Sequence, residues 1–182
     1  MTRVRVFMAM SLDGFVAGPN DELDWLSGAE GVEDTFTPFF NEVGAMLMGR
    51  RTFDVVSAFE AAWPYGDTPV LVATSRDFHS DLKSVRAVHG PIDVLIAEAK
   101  SVAGDGDVYV DGGALVRSAM SSGCVDELCI TLIPIVLGRG VPLFAGLKER
   151  HSLELVRTRP IGGGLVELVY RPASSAATLS HV

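Results

Sequence analysis

The stretch DVYVDGGALVRSAM, residues 107–120, decides how the rest of the chain is read. Asp107 to Asp111 reads as a short strand, and Ala114 to Met120 as a helix that Ser121-Ser122-Gly123 ends. Gly112 and Gly113 stand between them. Paired glycines at such a junction let the backbone approach a ligand closely and present N–H groups to an anion. The same pair also serves an ordinary tight turn. A strand that passes directly into a helix is the repeating unit of a parallel α/β sheet.

Two upstream junctions repeat the pattern with different chemistry. Met48-Gly49-Arg50-Arg51-Thr52 sets a glycine, two cations and a hydroxyl where a short apolar strand, Ala45 to Met48, meets a helix over Arg51 to Phe59. Free N–H groups, the helix dipole and guanidinium forks together make an anion site there; the alternative is a capped helix with solvated arginines. Val72-Ala73-Thr74-Ser75-Arg76 closes the strand Pro69 to Thr74 with two hydroxyls and an arginine. That set suits a phosphate on a sugar, and the arginine favours NADP over NAD by pairing the extra 2′-phosphate. In open sheets, ligands bind outside the carboxyl ends of the strands, where all these junctions fall.

The remaining pattern fits such a sheet. Arg3 to Met10 reads as a strand, Leu12 to Asn20 as a loop, and Glu33 to Val43 as a helix that Pro38 shortens. A weak strand at Ser84 to His89 and a helix from Pro91 to Ala103 come next, and strands at Glu127 to Val136, Ser152 to Thr158 and Leu165 to Tyr170 close the chain. The order predicts a mainly parallel central sheet with an antiparallel edge and helices on both faces, in one domain over residues 1–171, with an Ala- and Ser-rich tail at 172–182.

Composition bounds the function. At 182 residues, 48% hydrophobic and 21% charged, the chain is long enough for one substantial core. Its net charge of −8 argues against nucleic acid, and no apolar run approaches the roughly 18 residues of a membrane span. The first residues enter a strand pattern without a signal-peptide core, so a cytoplasmic protein is expected. Cys124 and Cys129 read as buried thiols, and the scattered His79, His89, His151 and His181 offer no ligand pair, so no metal is expected.

The segments Met10-Ser11-Leu12-Asp13-Gly14-Phe15-Val16-Ala17-Gly18, Gly49-Arg50-Arg51-Thr52 and Asp111-Gly112-Gly113 follow in an order and spacing that resemble dihydrofolate reductases. They resemble more closely the C-terminal reductase domain of the bifunctional riboflavin-biosynthesis deaminase–reductase. Asp126 to Pro134, with Gly138 to Phe144, is similar to that domain's late strands. The likeness covers residues 3–171 and implies a three-layer dihydrofolate-reductase-like α/β fold.

It also implies an NADPH-dependent reductase of a pyrimidine, pterin or similar heterocycle, akin to 5-amino-6-(5-phosphoribosylamino)uracil reductase. By the same resemblance, Ala9 and Ala17 lie beside the nicotinamide, and Gly49, Arg50, Arg51 and Thr52 hold phosphates. Thr74, Ser75 and Arg76 take the adenosine end, and Gly112, Gly113, Ala114 and Leu115 the pyrophosphate. A cis peptide is expected between Gly112 and Gly113. Trp25 resembles the tryptophan near the substrate pocket. Glu33 or Asp34, with Asp24 behind them, falls where dihydrofolate reductases keep their pterin-binding carboxylate. Surface acids on a first helical turn are the alternative, and Asp13 is read as shaping its loop. A homodimer through a sheet edge is expected, with the apolar run Ile130 to Val136 either at that edge or central.

The pattern departs from the riboflavin domain in three places. Phe15 stands where that family has a lysine, and Glu30, Glu33 and Asp34 stand where it meets a ribose phosphate with bases. The deaminase's zinc motif is absent. True dihydrofolate reductase, and a non-catalytic NADPH-binding protein of the same fold, are the alternative functions.

Overall fold

The computed structural model describes residues 1–26, 30–59 and 61–173. Strands β1 (Val4–Ser11), β3 (Val43–Gly49), β4 (Val70–Ala73), β5 (Val85–Val88), β6 (Asp107–Asp111) and β7 (Glu127–Ile133) pair in parallel. Strands β9 (Leu153–Pro160) and β10 (Val166–Pro172) add the antiparallel edge, in the order β5-β4-β3-β6-β1-β7-β10-β9. Within the loop expected at 12–20, β2 (Phe15–Ala17) pairs with β8 (Val141–Pro142), so this segment is more ordered than its glycines suggest. Asp13 fixes its base by accepting from the Ser11 hydroxyl and the Leu137 and Gly138 amides, which makes it a loop-shaping residue as expected.

Period-two alternation splits the side chains between two faces. One buries Val4, Val6, Leu47, Val108, Val110, Leu128 and Ile130 under α3 (Ile92–Ala103) and α4 (Gly113–Ser121). The other carries Met46, Met48, Tyr109 and Phe7 under α1 (Phe36–Phe40) and α2 (Arg50–Ser57). Helices on both faces give the three-layer, dihydrofolate-reductase-like α/β fold.

Helix α1 is shorter than the Glu33 to Val43 expected, because its Pro38 tolerates only a first turn. β10 runs on through Pro172, two residues past the expected strand end and one into the predicted tail; the tail from residue 174 onward lies outside the described residues. The run beginning at Ile130 belongs to β7, which pairs with β1 on one side and β10 on the other. It is a central strand, and the sheet's edges are β5 and β9. Among the described residues, no helix is long and apolar enough to cross a membrane.

At the amino end of β1, the α1/α2 face is polar. Arg3 and Arg5 bridge Glu42, Asp107 and Glu127, with Arg171 joining through Glu127. Burial pushes the Asp107 carboxyl up, but hydrogen bonds from the Arg3 side chain and amide outweigh it and hold the group below the usual carboxylate range.

Candidate active site

A cavity of about 550 Å³ opens where β1, β3 and β6 end, within the size range of small-molecule sites. Its wall includes Gly49, Arg50, Arg51 and Thr52 at the start of α2, and Gly112 to Leu115 at the start of α4. These two helix starts meet. Gly112 has φ 104°, and a Cβ there would stand 2.5 Å from Thr52 Oγ1, so only glycine allows the approach. Gly49 and Gly112 are the N-caps of α2 and α4, and neither helix has a side-chain cap. Their first-turn N–H groups therefore remain available to an anion.

Among the described residues there is no cis peptide bond, so the one expected between Gly112 and Gly113 is absent. The sharp turn is made instead by the positive φ of Gly112, which a residue bearing a Cβ seldom adopts.

The arginines at the α2 start are held in carboxylate pairs. Arg50 Nε donates to Asp54 at 2.7 Å and its Nη1 to the Asp77 carbonyl. Arg51 Nε donates to Asp21 at 2.8 Å, across the mouth from a loop where Asp21 itself has φ 65°. On α4, Arg117 Nη1 donates to the Pro142 and Leu143 carbonyls and ties that helix to β8.

Of the two acids that line this cavity, Asp21 and Asp111, the buried one is Asp111. It is 7% exposed, and burial raises its pKa to about 6, against the lowering effects of the Gly112 amide and the Tyr109 hydroxyl. The Tyr109 hydroxyl donates to the Phe7 carbonyl at 2.9 Å, which uses its one hydrogen. Burial outweighs these contacts, and the Asp111 carboxyl is largely protonated in mildly acidic solution.

Ala9 and Ala17 line the cavity, as do the residues expected at the α2 and α4 starts. Thr74, Ser75 and Arg76 lie outside its lining, with the Arg76 amide donating to the Thr74 hydroxyl and its guanidinium 3.7 Å from Asp54. Neither Glu33 nor Asp34 lines it either. Glu33 makes a two-pronged pair with Arg159 Nη1, and its amide donates to the Ile161 carbonyl, so it fastens its loop to the β9 end. Asp34 accepts from the Phe36 and Thr37 amides at the start of α1, and hydrogen bonding from the Thr37 side chain, with these amides, holds its carboxyl below the usual range. Trp25 donates to the Glu22 carbonyl, and its neighbours Leu23 and Leu26 reach the lining instead.

Sequence reasoning missed the catalytic potential of Asp111 and the aromatic wall of Phe7, Phe36 and Tyr109. One signal was present: Asp111 ends a central strand directly after the apolar Val110 and on the same alternation as Tyr109.

A family model described as the RibD C-terminal domain matches residues 2–167. An uncharacterised Bacillus subtilis (strain 168) protein, YwjB, is 34% identical over 160 residues, covering 86% of this chain and 91% of that protein. A solved Shewanella sp. PV-4 protein, named for riboflavin biosynthesis, is 31% identical with a TM-score of 0.85, covering 95% of this chain and all of the other. Enterococcus faecalis dihydrofolate reductase, solved in complex with NADP(H), shares the fold at 15% identity and a TM-score of 0.62, over 94% of this chain and 97% of that one.

Proposed function

Since this chain belongs to the RibD C-terminal domain family, we propose that it is an NADPH-dependent reductase of a heterocyclic substrate. The observation that carries the reading is the meeting of two helix starts without side-chain caps, three arginines and a buried carboxylic acid around one cavity. The glycine cradle at Gly112 fits a pyrophosphate, because the first-turn amides of α2 and α4 converge there. Arg50 and Arg51 would exchange their carboxylate partners for phosphate, and Arg76 would meet the 2′-phosphate beyond the cavity rim. Bound NADPH supplies a hydride.

The chain's own residues do the rest. The alanines at positions 9 and 17 leave room for a flat ring beside β1, and the Phe7, Phe36 and Tyr109 wall excludes water. Asp111 holds a proton on its carboxyl oxygen and gives it to the substrate ring as the hydride arrives, then recovers one from solvent. Its pKa of about 6 keeps much of it protonated in mildly acidic solution.

Calorimetric titration with NADPH, and separately NADH, tests the reading. Micromolar NADPH binding and much weaker NADH binding support it. Binding of neither would make the helix-start chemistry purely structural, and the reductase reading would fall.

A further inference from the structure

The arginines that line the cavity are not compensated alike. Arg50 pairs with Asp54 at 2.7 Å and Arg51 with Asp21 at 2.8 Å, so the α2 wall is close to neutral. Arg117 lines the cavity from α4 and, among the described residues, pairs with no carboxylate. Its Nη1 donates to the Pro142 carbonyl at 2.7 Å and the Leu143 carbonyl at 3.1 Å, which uses both hydrogens of that nitrogen. Backbone carbonyls accept these bonds without neutralising the charge. Nε and Nη2 bond to no described residue and neither is sealed inside the protein, so three N–H groups and a full positive charge remain open. Arg139 also lacks an ion pair, but it is exposed beyond the lining, where water and salt screen it.

Arg117 is set against the glycine cradle. It follows Gly113 by one helical turn on the same face of α4, and a Cβ on Gly113 would stand 3.2 Å from Arg117 Nη1. The guanidinium therefore lies beside the first turn of α4, where the N–H groups have no side-chain cap and the helix dipole is positive. A cation at that end is unfavourable until an anion joins it. At the start of α2 the carboxylates of Asp54 and Asp21 answer the same problem. The start of α4 has no such partner, and a guanidinium fork beside free amides matches the oxygens of a phosphate group.

We propose that Arg117 is the principal charge of a diphosphate site at the α4 start, which on the reductase reading holds the cofactor's pyrophosphate. Its Nη1 keeps β8 in place while Nε and Nη2 meet phosphate oxygens. Arg50 and Arg51 must first release their carboxylates, whereas Arg117 has none to release, so its charge is spent wholly on the ligand.

The test is calorimetry with NADPH and with inorganic pyrophosphate on wild type, Arg117→Lys and Arg117→Gln. Lysine keeps the charge, and glutamine keeps a donor for the β8 carbonyls but loses the charge. Arg117→Gln should weaken both ligands by about tenfold or more, and Arg117→Lys by about threefold or less. Equal losses in the two variants would make Arg117 a tie between α4 and β8 and overturn the proposal, as would unchanged binding in Arg117→Gln. If Arg117→Gln does not fold, the nitrogen-15 resonance of Arg117 Nε decides. Assigned through Arg117→Lys, it should shift when pyrophosphate is added to wild type, and an unmoved resonance contradicts the site. The reductase reading fails separately. A wild type that takes up neither NADPH nor NADH but binds pyrophosphate with the same order of variants loses that reading and keeps the site, while absence of pyrophosphate binding overturns the site.

Discussion

The two faces of the central sheet are made by the same strands and put their buried volume to different use. Under α3 and α4, Val4, Val6, Val108, Val110 and Leu128 are all but inaccessible and contain no polar atom beyond the backbone. Under α1 and α2, the same strands carry Arg3, Arg5, Asp107, Tyr109 and Asp111, and the packing gives way to a cavity at the carboxyl ends. A closed face yields stability, because each buried aliphatic side chain contributes about 1.5–3 kcal/mol. An open face tolerates a buried acid that costs stability and serves chemistry. Function is concentrated where polar residues interrupt the apolar alternation of the strands.

Substitutions on the two faces should therefore have opposite signatures. The largest effect is expected from Asp111→Asn, which should lower kcat by about 10²–10⁴-fold at saturating cofactor while leaving NADPH affinity within about twofold. Steady-state kinetics with an identified substrate and calorimetry check the two halves. On the closed face, Leu128→Ala should cost about 2–5 kcal/mol in chemical denaturation and leave NADPH affinity unchanged. Loss of binding without loss of stability there would break the distinction between the faces.

A third effect links the faces through pH. Asp111 is raised to about 6 in the folded state from an ordinary 3.8, so both folded and unfolded chains bind its proton below pH 3.8. Between those values the unfolded chain releases the proton first, and stability falls as pH rises through about 6. By pH 8 the loss should reach about 3 kcal/mol, and Asp111→Asn should recover most of it. Asp107, held below its usual range, acts in the opposite sense at lower pH, so the difference between wild type and variant isolates Asp111. The smallest effect concerns Arg76, which is 68% exposed in its side chain. Arg76→Ala should weaken NADPH binding by about three- to tenfold and NADH binding hardly at all. Equal loss for both would remove its assigned role.

Much of the fold was legible because periodicity and punctuation agree. The strand Asp107–Asp111 was read at its true bounds, α3 and α4 to within one residue at each end, and α2 to within two. Pro38 warned of a short α1. The cavity's lining was legible at the Gly49–Thr52 and Gly112–Leu115 junctions, since their glycines and arginines are local signals, and not at Thr74 to Arg76, which lie outside it. Its acid was not. Glu33 and Asp34 look catalytic by position, yet their carboxylates are satisfied by Arg159 and by α1 amides across turns that only folding sets. Asp111 becomes an unusual group only through tertiary burial beside Tyr109, and no local pattern states how deep a strand end will lie.

The open face holds a carboxylic acid at Asp111 in mildly acidic solution. Carbon-13 NMR of protein labelled at aspartate carboxyls, titrated from pH 3 to 8, tests it directly. One resonance should titrate with a midpoint of about 6 and disappear in Asp111→Asn. If the Asp111 resonance instead titrates at the ordinary 3.8 or below, the acid is already ionised in the working protein and the claim is contradicted.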